Sequence, residues 1–98
     1  MSKTWKNVEL ALARLLDGSR VPITGRARGS TPDIEHSDYS IEVKHRKAIP
    51  EWIKDAMNQA EASNKGGEKL PIVILHEKHM RFEDSFVMVR LKDLKELT

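Results

Sequence analysis

Apolar residues at Trp5, Val8, Leu12, Leu15 and Leu16 recur at helical spacing and predict a helix from Trp5 to Leu16. Ser2 or Thr4 suits its N-cap, and Gly18 suits the position just past its end. The pattern then shortens. Residues 20–23 form a brief extended piece, with Pro22 favouring an edge position because proline cannot donate to a strand ladder. Residues 24–31 (TGRARGST) contain two glycines and no periodicity, which predicts a loop with unusual backbone angles. Residues 32–36 and 39–44 read as two strands joined by a tight turn at Ser37-Asp38.

In the second half, Pro50 suits the first turn of a helix running to about Asn64, with Trp52, Ile53, Ala56, Met57 and Ala60 as its apolar face. Lys65-Gly66-Gly67 breaks it. Residues 70–75 (LPIVIL) form a continuous apolar run, the pattern of a strand covered on both faces. A further strand at 85–89 and a short helix at 91–97 close the chain. The predicted order is α-β-β-β-α-β-β-α. The strand–helix–strand stretch from Ile41 to Leu75 predicts a right-handed parallel crossover, hence an α/β chain with a mixed sheet flanked by helices. No repeat or low-complexity tract interrupts this order.

Composition narrows the picture. A chain of 98 residues has room for one domain with one core, residues 1–98, of modest stability unless a partner covers part of it. Cysteine is absent, which excludes disulfides and thiolate metal sites and suits a reducing compartment. The start, Met1-Ser2-Lys3-Thr4-Trp5, lacks the apolar core of a signal peptide, and no stretch approaches a membrane span, so a cytoplasmic protein is expected. The net charge of +2 says little by itself, but its distribution says more. Arg20, Arg26 and Arg28 fall in one segment, and Lys44-His45-Arg46-Lys47 forms a second basic run. Basic runs are often no more than solvated surface. These two flank a set of acidic residues, which favours a polyanionic substrate.

Strand alternation selects that set. Over 39–44, Tyr39, Ile41 and Val43 point one way, while Ser40, Glu42 and Lys44 point the other. Glu42 and Lys44 therefore project side by side near a strand end, and Asp33 on the neighbouring strand is positioned across from them. Glu9 falls near the edge of the stripe made by Trp5, Leu12 and Leu16. A carboxylate beside a buried face is costly unless it is paired, bound to a cation or able to reach water. Carboxylate oxygens are hard ligands that suit Mg²⁺ or Mn²⁺, and such a cation polarises a phosphate oxygen and acidifies a bound water. A lysine beside that water orients or deprotonates it and stabilises charge developing on the phosphorane-like transition state. This is phosphodiester hydrolysis chemistry. The plainer reading is a surface ion-pair ladder of Glu42 with Lys44 or Lys47, and an isolated E-x-K tripeptide would not displace it.

Pro32-Asp33 followed by Glu42-Val43-Lys44 resembles the PD-(D/E)XK signature of restriction-endonuclease-like nucleases. The order of elements around the signature is similar over nearly the whole chain. Within that superfamily the sequence looks most like archaeal-type Holliday-junction resolvases and their small viral relatives. The resemblance implies that Asp33, Glu42 and the backbone carbonyl of Val43 hold a divalent metal, Mg²⁺ or Mn²⁺, and that Glu9 completes the shell directly or through water. It implies Lys44 as the catalytic lysine, and Thr24, Arg26, Arg28 and Ser30 as contacts to DNA phosphates. Arg20 and Lys47, in the flanking basic segments, join these as DNA-binding candidates. Gln59 matches a helix glutamine found beside such sites. The expected protein is a structure-selective DNA endonuclease that works as a homodimer. The alternatives are a nicking, restriction or repair nuclease of the same fold, or an inactive DNA-binding module, which an intact Asp33, Glu42 and Lys44 set disfavours.

Other features carry less. His76 and His79 lie three apart, unlike the four of a helical zinc motif, and fall in a predicted hairpin loop. His36 and His45 flank the site strands within reach of phosphate. Trp5 and Trp52 occupy helical apolar positions and are expected in the core. No phosphate-cradling glycine loop leads into a helix, which argues against a small-molecule enzyme.

Overall fold

The computed structural model describes residues 4–22 and 31–97. The chain is a mixed α/β protein with three α-helices and small antiparallel sheets among the described residues. It divides into two compact units, Met1–Lys47 and Ala48–Thr98.

In the first unit, helix α1 spans Thr4–Leu15. Its buried face is a stripe through Glu9, Ala13 and Leu16, with Trp5 one turn before. The Gly18 amide reaches back to the Ala13 carbonyl (2.8 Å) and that of Asp17 to Arg14 (3.3 Å), which closes the helix as a Schellman turn. Asp17, with φ 59°, takes the left-handed position. Gly18 is required for another reason: a Cβ there would lie 2.6 Å from the Glu35 carbonyl oxygen and 2.9 Å from Ile34 Cγ2. The glycine thus lets the chain pass tightly over the next strand.

Three short strands follow, β1 (Ser19–Arg20), β2 (Ile34–Glu35) and β3 (Ser40–Ile41), in the order β1-β2-β3 and all antiparallel. The edge position expected near Pro22 belongs to β1. The register aligns Arg20 with Ile34 and Ile41, and Ser19 with Glu35 and Ser40. Successive side chains alternate faces, so the Arg20, Ile34 and Ile41 row takes the packed face and the Ser19, Glu35 and Ser40 row takes the wet one. Ile34 is fully buried and, with Ala13, Leu16 and Val21, forms the core of this unit. At the turn after β2, the Asp38 amide donates to His36 Nδ1 (3.0 Å), and the His36 and Tyr39 rings stack at 4.9 Å.

In the second unit, α2 spans Glu51–Ala62 with Pro50 as its N-cap rather than within its first turn. A 3-10 turn at Lys65–Gly67 follows, where Gly66 and Gly67 both have positive φ. The Asn64 side chain clamps the exit by bonding both the amide and the carbonyl of Lys69. Strands β4 (Val73–Leu75) and β5 (Phe86–Met88) pair antiparallel, and α3 spans Leu91–Lys95. Arg90, at the start of α3, bonds Glu61 and Asn58 on α2 and ties the two helices together.

Three expectations change here. The strand after Tyr39 and the strand within 70–75 were expected as parallel neighbours, but among the described residues β3 pairs with β2 and β4 with β5. The apolar run at 70–75 is also not covered on both faces. Val73 and Leu75 are half-buried while Ile74 between them is 62% exposed, because a two-stranded ladder turns alternate residues outward. Trp52, expected in the core, is likewise 62% exposed.

Candidate functional site

The first unit holds Glu9, Arg20, Asp33, Glu42, Val43, Lys44 and Lys47. Asp33 is the most constrained of them. Its carbonyl accepts from the Val21 amide and its amide donates to the Ile41 carbonyl, both at 2.9 Å, which carries the sheet one residue beyond each ladder. Its carboxylate Oδ2 accepts from the Val43 amide at 2.7 Å. The bonds to Ile41 and Val43 straddle Glu42, so the Asp33 backbone runs alongside that residue. Asp33 is 7% exposed, and a charge-assisted bond of this kind offsets part of the cost of burying it.

Glu42 is exposed, and its Oε2 lies 3.0 Å from Lys44 Nζ, also exposed. The two side chains stand side by side, as alternation predicts. Lys47 is exposed in the same basic run. An open cleft of about 540 Å³ beside the wet row is lined by Asp17, Ser19, Glu35, Tyr39 and Ser40, among others. Its two carboxylates make it a poor track for a phosphate backbone. The basic run at 44–47 suits one better.

Glu9 is 6% exposed and occupies the middle of the buried stripe of α1, not its edge. Its Oε1 accepts from Arg20 Nε at 2.8 Å, with the two side chains only 8% and 13% exposed. The Arg20 guanidinium also lies 5.3 Å from the centre of the Trp5 ring, within cation–π range. Arg20 Nη2 is buried with no hydrogen-bond partner. This corrects the expectation that Arg20 offers its charge at the surface to DNA. Its place on the packed row of β1 turns it towards α1, where it neutralises Glu9. Sequence reasoning missed this pairing, although there was a signal for it. Trp5 and Glu9 are four apart on one helical stripe, so a cation meeting one would meet both.

Among the described residues, no three histidine or acidic side chains gather closely enough to hold a metal ion. The full shell of Glu9, Asp33 and Glu42 is therefore not assembled there, and the acidic residues brought alongside one another are Asp33 and Glu42. Thr24, Arg26, Arg28 and Ser30, the remaining DNA-binding candidates, lie outside the described residues. Gln59 is exposed on α2, in the other unit. His76, noted for its spacing from His79, bonds the Met80 carbonyl at 2.8 Å and stacks on Phe82. Comparison with family models, with curated proteins and with solved structures gave no match. Among the described residues, no helix is long and apolar enough to cross a membrane.

Proposed function

We propose that this chain is a metal-dependent DNA endonuclease of restriction-endonuclease-like type, structure-selective in the manner of Holliday-junction resolvases and active as a homodimer. The observation that carries the reading is the bond of the buried Asp33 carboxylate to the amide of Val43, whose neighbours in sequence are the ion-paired Glu42 and Lys44. A surface ion pair of glutamate and lysine has no need of a buried aspartate held against the same backbone.

The donors fit the proposed cation in kind. Asp33, Glu42 and the Val43 carbonyl supply hard oxygens, and Mg²⁺ commonly keeps several waters beside one or two carboxylates. Bound there, the cation would polarise the scissile phosphate and acidify an attacking water. Asp33, held by bonds to Val21, Ile41 and Val43, would supply a ligand that does not need to be ordered on binding. Glu42 would supply the second carboxylate ligand, and Lys44 beside it would orient the water and balance charge growing on the phosphate oxygens. Arg46 and Lys47, exposed beside the pair, hold the flanking phosphates.

The test is incubation with Mg²⁺ or Mn²⁺ and labelled linear, nicked, flap and four-way-junction DNA. Cleavage is expected, strongest on the branched substrates. Asp33→Asn and Glu42→Gln are each expected to abolish it while DNA binding survives, because removing negative charge near phosphate does not weaken attraction. Undiminished cleavage in either variant would sink the assignment. Binding without cleavage in the parent protein would leave a DNA-binding module.

A further inference from the structure

The second unit contains a cleft of about 430 Å³ that shares no residue with the proposed nuclease site. Trp52, Ile74, Leu75, Met80 and Phe86 give it an apolar lining, and Trp52, Ile74 and Phe86 are each more than three-fifths exposed. Glu77 is the one carboxylate in that lining, and its side chain has no hydrogen-bond or ion-pair partner among the described residues. The charges next to the lining residues in the chain are different. Lys54 pairs with Glu51 at 3.3 Å, and Arg81 pairs with Glu83 and Asp84. Lys78, which follows Glu77, does not line the cleft. The loop that carries Glu77 and Met80 is braced against itself. His76 Nε2 donates to the Met80 carbonyl at 2.8 Å, the Met80 amide donates to the Glu77 carbonyl at 3.0 Å, and the His76 ring stacks on Phe82. A wall already held in place loses little freedom when a partner arrives.

We propose that this cleft is a docking site for a segment of a partner protein that presents a large apolar side chain beside a lysine or arginine. Tryptophan, phenylalanine and methionine are enriched at protein interfaces, and a tryptophan is the commonest kind of anchor. Charge complementarity names the neighbour of the apolar side chain. A free carboxylate in a cleft with no lysine or arginine of its own favours a basic residue and fixes the direction in which the segment lies. Nucleic acid is the poorer occupant. The same carboxylate repels phosphate, and the basic segments around Arg26 and Lys44 belong to the first unit.

Short random peptides displayed on phage and selected on the whole chain provide the probe. Enrichment of a large apolar residue adjacent to Lys or Arg is expected. A synthetic copy of an enriched peptide is expected to bind Trp52→Ala about thirtyfold more weakly than the parent, the scale of losing an interface anchor. Glu77→Lys keeps the turn to Met80, because that bond uses the Glu77 backbone. A fresh selection on this variant is expected to exchange Lys and Arg for Asp and Glu, and it decides the matter if Trp52→Ala does not fold. No enrichment on the parent, as when a second copy of the chain already fills the cleft, would overturn the inference. So would peptides that bind Trp52→Ala as tightly as the parent, or whose charge does not follow the residue at position 77.

Discussion

At the scale of single residues, the candidate site separates into a buried acid and an exposed pair. Asp33 is held by backbone bonds and buried, whereas Glu42 and Lys44 are exposed and bound chiefly to each other. An exposed pair of this kind contributes little to folding, about 0–1 kcal/mol, so substitutions in it report on chemistry and not on stability. Lys44→Ala is accordingly expected to melt with the parent and to turn over about a hundredfold or more slowly at saturating DNA. Single-turnover kinetics with a melting curve checks this, and an effect confined to DNA affinity would make Lys44 a phosphate anchor only. The side-by-side placement of Glu42 and Lys44 was legible because strand alternation is a local rule. Glu9 was legible only as an anomaly. The spacing of Trp5 and Glu9 signalled that one cation would meet both, but not that Arg20 is that cation, since the contact depends on how β1 packs on α1.

At the scale of elements, the succession of helices and strands follows the hydrophobic pattern, while the lengths and partners of the strands do not. Residues 32–36 and 39–44 alternate well enough for longer strands, yet the ladder holds only Ile34–Glu35 against Ser40–Ile41. Asp33 explains one end. Its side chain takes the Val43 amide, a donor that a longer ladder would use. The apolar run at 70–75 misled in the other direction, because continuous hydrophobicity reports only that a segment seeks cover, not which strand supplies it. Gly18 was expected to end the first helix, and it does lie within the closing turn, but its necessity comes from β2 crossing beneath it. Gly18→Ala is therefore expected to push β2 away from α1 and to destabilise by about 1–3 kcal/mol, the usual cost of overpacking. Thermal melting measures this, with a fall of about 4–8 °C per kcal/mol in a domain of this size. An unchanged melting temperature would mean that the close approach at Glu35 relaxes freely.

At the scale of the whole molecule, the proposed activity sets two requirements that one small chain meets only in part. The first is charge. With a net charge of only +2, DNA affinity must come from local basic segments, Arg26 and Arg28 on one side and Lys44 to Lys47 on the other. The Arg26→Ala/Arg28→Ala variant is expected to reduce the slope of log affinity against log salt by about one unit for every phosphate the arginines neutralise. An unchanged slope would move the DNA surface elsewhere, to Lys54 and Lys65 for example.

The second requirement is a second active site. A single metal site attacks one phosphodiester, yet resolving a junction needs two cuts on different strands. These 98 residues hold one Asp33, Glu42 and Lys44 set, so on the proposed reading a second copy supplies the other. Homo-oligomers most often close as two-fold dimers, and that symmetry matches the pseudo-symmetry of a four-way junction. The second unit adds a physical reason to associate. Among the described residues its sheet has two strands, an arrangement of marginal stability alone, and it leaves Ile74, Phe86 and Val87 each more than three-fifths exposed. Apolar surface of that kind gains from being covered, and Phe86, Met88 and Leu94 near the C-terminus are the expected contacts, with the exposed Trp52 of α2 as the other. Light scattering at micromolar concentration, with and without DNA, is expected to give twice the mass of the chain, and Phe86→Asp to shift it towards the monomer. A strict monomer in both conditions that still cut DNA would make a nicking enzyme the better reading, since one site would then be enough for its reaction.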